Sequence, residues 1–160
     1  MINILAVDDE KEILKIIKKA LEKEGYAVTA VSDPEAVKKM NLSCFQMILL
    51  DVMMPGTDGF SLCREIRDKV DCPILFVTAK TGEKELMTGL GIGGDDYITK
   101  PFGIGELRAR VAAHLRRENR KKKNAVFEKS SLSSVPEKSF IRERKSPLQR
   151  ASMPSASILP

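Results

Sequence analysis

Along residues 1–119, short apolar runs alternate with stretches whose apolar residues recur every three or four positions. "NILAV" (Asn3–Val7) reads as a buried strand. A helix is expected from about Glu10 to Lys23, with Ile13, Leu14, Ile17, Ala20 and Leu21 on one stripe and Gly25 ending it. "YAVTAV" (Tyr26–Val31) is β-branched and strand-like, and Asp33-Pro34 then opens a short helix towards Met40. "QMILL" (Gln46–Leu50) predicts a third strand running into Asp51, followed by a loop marked by Pro55, Gly56 and Gly59. A helix over Phe60–Lys69, a strand over Pro73–Thr78, a helix over Glu83–Leu90 and a strand over Asp96–Thr99 complete the alternation. The last helix, Glu106–Arg117, carries Leu107, Val111 and Leu115 at steps of four.

Five strands alternating with five helices predict a doubly wound five-stranded parallel sheet with helices on both faces. In such open sheets ligands sit beyond the carboxyl ends of the strands, where the strand order reverses. Asp8 and Asp9 follow the first strand, Asp51 the third, Thr78 ends the fourth and Lys100 follows the fifth. The fold rule gathers these distant residues along one edge.

Composition narrows the chemistry. Hydrophobic residues make up 42% of the 160, so a core can be built, but aromatics are only 5% and that core is mainly aliphatic. No apolar run approaches the roughly 18 residues a membrane span needs. The acidic start "MINILAVDDEKE" does not read as a secretory signal, which makes a cytoplasmic protein the expectation. Cys44, Cys63 and Cys72 form no CxxC pair, and His114 is the sole histidine, so neither a disulfide framework nor a thiolate or imidazole metal site is expected.

The net charge of +5 is unevenly placed. Residues 120–160 hold ten Lys and Arg against three Asp and Glu, a charge of +7; the 119 residues before them hold 17 against 19, or −2. That last stretch also has nine Ser and four Pro with scattered apolar residues, and is expected to be a disordered tail. Its charge alone suits nucleic acid or anionic lipid, though it lacks interleaved aromatics and amphipathic order.

Three carboxylates in one crevice repel. Two unit charges about 4 Å apart oppose each other by roughly 4 kcal/mol at an effective dielectric near 20. A cation relieves that, and hard oxygen donors favour Mg²⁺ over Zn²⁺. A carboxylate beside Mg²⁺ can take a phosphoryl group as an acyl phosphate, and a lysine and a hydroxyl can steady its oxygens. Taken singly, each residue has a plainer reading: a strand-end Asp caps a turn, Asp8-Asp9 is a solvated turn, Thr78 is a β-branched strand residue, Lys100 a surface charge and Tyr97 a core ring. The register of the five polar residues at the strand ends favours the site.

The motifs "VDDE" (Val7–Glu10), "LLDVMMPGTDGF" (Leu49–Phe60), "VTAK" (Val77–Lys80) and "GGDDYITKPF" (Gly93–Phe102), in this order and spacing, resemble the receiver domain of bacterial two-component response regulators over roughly 1–119. The resemblance implies a flavodoxin-like strand order 2-1-3-4-5 and a phosphoacceptor rather than an enzyme. It makes Asp51 the phosphoacceptor, with Mg²⁺ held by Asp8, Asp9, Asp51 and the backbone carbonyl of Met53. Thr78 becomes the switch hydroxyl, Lys100 the phosphate contact and Tyr97 the aromatic switch, and the bond before Pro101 is cis. The implied partner is a sensor histidine kinase. "GDDYITKPF" with "GELRARVAAHLRR" is most similar to the winged-helix (OmpR/PhoB-like) subfamily, whose receivers pair as homodimers through helix four, strand five and helix five. Asp96, Glu106 and Arg110 match charged positions of that face; Leu86 stands where the subfamily usually has Lys or Arg.

Several alternatives stay open at this stage. Relatives in that subfamily carry about 100 further residues that bind DNA. Here only about 40 residues follow the receiver, with no recognition-helix pattern, so the Ser/Pro-rich tail is read either as a truncation or frameshift product or as part of a stand-alone receiver that works by protein contacts or as a phosphate sink. An aspartyl phosphatase resembling haloacid dehalogenases is disfavoured, because Met53 rather than an acid stands two residues after Asp51. Gly89–Gly94 matches GxGxxG, but it follows a predicted helix and precedes a strand, the reverse of a dinucleotide site.

Overall fold

The computed structural model describes residues 1–79 and 82–134. The chain divides into two units, Met1–Glu118 and Asn119–Pro160. The described chain alternates strands β1 (Asn3–Val7), β2 (Ala27–Val31), β3 (Met47–Leu50), β4 (Ile74–Thr78) and β5 (Asp96–Thr99) with helices α1 (Lys11–Glu22), α2 (Pro34–Lys38), α3 (Gly59–Arg67), α4 (Glu83–Gly91) and α5 (Ile104–Ser134). All strands run parallel in the order β2-β1-β3-β4-β5, the doubly wound sheet expected.

Strand side chains alternate between the two faces, and the core divides accordingly. Leu5, Val7, Ile48, Leu50, Ile74 and Phe76 pack with Val37 of α2 and with Leu62, Cys63 and Ile66 of α3. Ile4, Ala6, Met47, Leu49, Leu75, Val77 and Ile98 pack with Leu14, Ile17 and Leu21 of α1 and with Leu107 and Val111 of α5. Strands covered on both sides need near-continuous apolar runs, and β1, β3 and β4 supply them.

The helix starts follow local chemistry. Asp33 accepts from the Glu35 amide to cap α2, with Pro34 at its first position, and Asp58 accepts from the Ser61 amide to cap α3. Between α2 and β3 lies a 3-10 turn, Leu42–Cys44, capped by Asn41, which the apolar pattern had not indicated. The Gly89–Gly94 run spans the end of α4 and the turn into β5, with Gly93 at φ 114°, in keeping with the helix-to-strand reading.

The expectation of disorder from residue 120 is corrected for 120–134, which are helical. No Gly or Pro interrupts 119–134, and Arg, Lys and Glu are good helix formers. The apolar periodicity ends before this stretch, and its side chains from Asn119 to Ser130 are all exposed, so pattern reading had nothing to detect. The remainder of the expected tail, 135–160, lies outside the described residues.

Candidate phosphoacceptor and metal site

The chain leaves β1, turns out to β2, and returns to pair β3 on the other side of β1. That reversal opens a crevice at the carboxyl ends of β1 and β3. Backbone bonds carry both strands past their last ladder residue: the Asp8 amide donates to the Val31 carbonyl and the Asp51 amide to the Val7 carbonyl. Asp8 and Asp51 are thereby fixed side by side, both buried. With the less buried Asp9, they present carboxylate oxygens that all lie within 4.8 Å of one another.

Lys100 enters from β5. Its amide donates to the Thr78 carbonyl at 2.9 Å, extending the β4–β5 pairing beyond Thr99. Its Nζ donates to Asp8 Oδ2 at 2.7 Å and to Glu10 Oε1 at 3.3 Å, and stands 3.5 Å from Asp51 Oδ2. The Lys100–Pro101 peptide is cis. Thr78 is fully buried at the end of β4.

The electrostatics show a crowded site. Burial pushes the Asp8 carboxyl up to about 6, against the lowering effect of hydrogen bonds from Lys100 and the Glu10 amide, and the Asp51 charge adds to the rise. Burial works against the Lys100 ammonium, but the hydrogen bond to Asp8 and the charges of Asp51 and Asp8 outweigh it and hold the lysine above its ordinary value. One cation shared among several acids leaves the crevice negative, and its donors are oxygens only. Such a donor set fits a hard divalent ion such as Mg²⁺.

The loop after Asp51 is tightly set. The Gly59 amide donates to the Val52 carbonyl at 2.8 Å, and a Cβ at Gly59 would overlap the Asp51 carbonyl oxygen, so only glycine fits. Met53 is exposed, and its amide donates to Asp51 Oδ1 at 3.3 Å. Tyr97 is half-buried on β5, its ring 6.0 Å from that of Phe76, which in turn meets Phe60 edge-on at 5.2 Å. Burial, then the charges of Glu85 and Asp51, push the Tyr97 phenol up.

Asp96, Glu106 and Arg110 also come together, away from the carboxylate cluster in sequence and on β5 and α5. Arg110 grips both Asp96 oxygens at 3.0 and 3.1 Å and Glu106 at 3.1 Å. Burial alone would raise the Asp96 carboxyl; bonds from the Tyr97 amide, His114 and Arg110 outweigh it and hold it low. Two residues escaped sequence reasoning. Glu10 reaches Lys100, and His114 Nε2 lies 3.0 Å from Asp96 Oδ2. The i,i+4 spacing of Arg110 and His114 was the available signal for the second; the first needed the fold.

The arrangement is that of a receiver. A family model described as the response regulator receiver domain matches residues 4–112, and the chain belongs to that family. Similar proteins include the transcriptional regulatory protein SpaR of Bacillus subtilis, 55% identical over 122 residues, which cover 76% of this chain and 56% of SpaR. The nisin biosynthesis regulatory protein NisR of Lactococcus lactis subsp. lactis is 42% identical over 146 residues, covering 89% of this chain and 63% of NisR. The chain thus spans little more than half the length of the curated relatives it matches. Among solved structures, a two-component response regulator from Clostridium difficile superposes with a TM-score of 0.71 at 32% identity, over 74% of this chain and 99% of that one. DrrB, an OmpR/PhoB homologue of Thermotoga maritima, gives 0.68 at 34% identity over 74% of this chain and 54% of its own.

Proposed function

We propose that this chain is the phosphoacceptor of a two-component system, with Asp51 as the residue that takes the phosphoryl group from a sensor histidine kinase. The observation that carries this reading is the meeting of three carboxylates, from the ends of β1 and β3, within 4.8 Å of one another, beside a lysine amine 3.5 Å from Asp51. Asp8, Asp9, Asp51 and the Met53 carbonyl are the groups that would hold Mg²⁺. When bound, that ion neutralises negative charge on the transferring phosphoryl group.

The chemistry of the side chains follows. An Asp51 carboxylate oxygen attacks phosphorus, the phosphorus–nitrogen bond of the donor phosphohistidine breaks, and the electron pair stays on the imidazole. Lys100, already within reach of Asp51, pairs with the phosphoryl oxygens. The acyl phosphate carries about −1.5 to −2 charge at pH 7 where the carboxylate carried −1. The Thr78 hydroxyl hydrogen-bonds to it, and Tyr97 turns into the space Thr78 leaves, which biases the face of α4, β5 and α5. Asp96, Glu106 and Arg110 are the charged residues of that face on which two phosphorylated copies would pair. Within one copy they are satisfied internally, so pairing requires partners to be exchanged.

The relatives' names speak of transcriptional and biosynthetic regulation, and we infer a like output for a longer protein carrying this receiver. No helix among the described residues is long and apolar enough to cross a membrane, and the setting inferred is the cytoplasm. The test is intact-mass spectrometry after treatment with acetyl phosphate. A gain of one phosphoryl group that needs Mg²⁺ and vanishes in Asp51→Asn supports the reading; labelling retained by that variant refutes it.

A further inference from the structure

The strongest charged feature outside the carboxylate site is the helical stretch that sequence reading took for disorder. Residues 119–130 continue α5 with every side chain exposed. They hold Arg120, Lys121, Lys122, Lys123 and Lys129 against Glu128 alone, a net charge of +4. Arg120 stands three residues before Lys123, so like charges are neighbours on the helix. Such a segment is stabilised by any polyanion that neutralises it.

We propose that residues 119–130 are a contact surface for double-stranded DNA. Charge density argues for it. Four consecutive cations occupy about 6 Å of helix axis, roughly one per 1.5 Å, while a DNA duplex carries one phosphate charge per about 1.7 Å. Distribution argues for a groove rather than a plane. At 100° per residue, Arg120 to Lys123 spread around most of the helix, and Lys123 projects between the exposed Val126 and Phe127, so cations and apolar residues share one side. A membrane surface selects helices with cations and apolar residues on opposite sides. A helix about 10–12 Å across, charged all round, instead fits a major groove about 12 Å wide with phosphates on both walls. The major groove of an RNA duplex is too narrow and deep for it. Contacts of this kind go to phosphates, so no base preference is expected. This surface is independent of phosphoryl transfer at Asp51.

The experiment uses the full chain and a fluorescent 20-base-pair DNA of mixed sequence, read by anisotropy from 50 to 200 mM NaCl. Four phosphate contacts predict a slope of log affinity on log salt near −3.6, or about a 100-fold loss over that range. The quadruple variant Arg120→Gln, Lys121→Gln, Lys122→Gln, Lys123→Gln brings the segment to zero net charge. It is expected to lose at least about tenfold in affinity at 50 mM salt and most of the slope, while keeping the acetyl phosphate labelling of the parent. The proposal is overturned if the parent does not bind at 50 mM salt, if the variant binds like the parent, or if duplex RNA or vesicles with anionic phosphatidylglycerol bind as tightly as DNA at equal salt.

Discussion

Replacing Lys100 by Met tests whether the lysine stands in for a divalent ion in the metal-free chain. Lys100 Nζ lies 2.7 Å from Asp8 and 3.5 Å from Asp51, and all three side chains are almost wholly buried. At an effective dielectric near 20, the gross attractions are about 6 and about 5 kcal/mol. Desolvation offsets most of this, and removing one partner of a buried pair typically costs about 3–5 kcal/mol. Asp8 has an escape, because its carboxyl titrates near 6 even with the lysine in place. Taking up a proton at pH 7.5 then costs it about 2 kcal/mol, and less once the lysine is gone. The loss in the variant should therefore level off near 3 kcal/mol, on the order of 10 °C in Tm for a domain of this size.

The assay is urea unfolding followed by far-UV circular dichroism at pH 7.5, first in EDTA and then in MgCl₂, with Mg²⁺ affinity measured by calorimetry. Metal at 100 times its Kd adds about 2.7 kcal/mol of stability. Since Mg²⁺ and the ammonium compete for Asp8, the Lys100→Met variant should bind the ion at least about fivefold more tightly, and its deficit should shrink by at least about 1 kcal/mol, roughly a third. Equal stability of the two proteins in EDTA, or a deficit that Mg²⁺ leaves unchanged, would refute the reasoning.

Thr78→Ala should still accept a phosphoryl group, at a stability cost of about 1 kcal/mol for the buried hydroxyl, yet stay monomeric by analytical ultracentrifugation after labelling; normal dimerisation would contradict the role given to the hydroxyl. The pH dependence follows from Asp8, whose folded carboxyl is raised from 3.8 to about 6. A raised carboxyl binds its proton more tightly in the folded chain, so its stabilising contribution is complete below about pH 4 and lost as pH rises through 6. The metal-free protein should lose on the order of 3 kcal/mol from this group across that window, as seen in urea midpoints. Mg²⁺ affinity should move the other way, weakening roughly tenfold per unit below pH 6; a flat calorimetric profile between pH 5 and 7 would remove Asp8 from the site.

The sheet was legible because its strands are nearly continuous apolar runs and its helices carry stripes at helical spacing. Strand order then followed from chain-level rules, and with it the convergence of Asp8, Asp9, Asp51 and Lys100. What pattern reading could not see falls into two kinds. Some elements bury little: the 3-10 turn at Leu42–Cys44 buries Leu42 and rests on the Asn41 cap, and residues 119–130 are helical with no buried face to impose a period. Other features are contacts across the fold. Arg67 donates to the carbonyls of Gly93, Val70 and Cys72 and pairs with Asp95, which in turn accepts from the Ile74 amide. No spacing in the sequence announces a side chain that links the end of α3 to the turns before β4 and β5.

The same contacts suggest why α4 would respond to chemistry at Asp51. Of its nine residues only Gly89 is buried, and it lies against rings: a Cβ there would come within 3.0 Å of Phe60 and 3.1 Å of Phe76. At the far end, Gly93 and Asp95 are tied down by Arg67, while Gly82, the N-cap residue, has no side chain with which to cap the start. A helix anchored at one end and resting on aromatic surface through a glycine has few contacts to lose when it shifts. Phe60 begins one residue after Gly59, which is packed on the Asp51 backbone, and the row Phe60–Phe76–Tyr97 passes under α4 to β5. On the proposed reading, Tyr97 cannot turn inward without changing its packing on Phe76, and Phe76 is the ring on which α4 sits. On that reading, a change at one aspartate reaches an outer helix through three rings and a glycine, with no long-range electrostatic effect required.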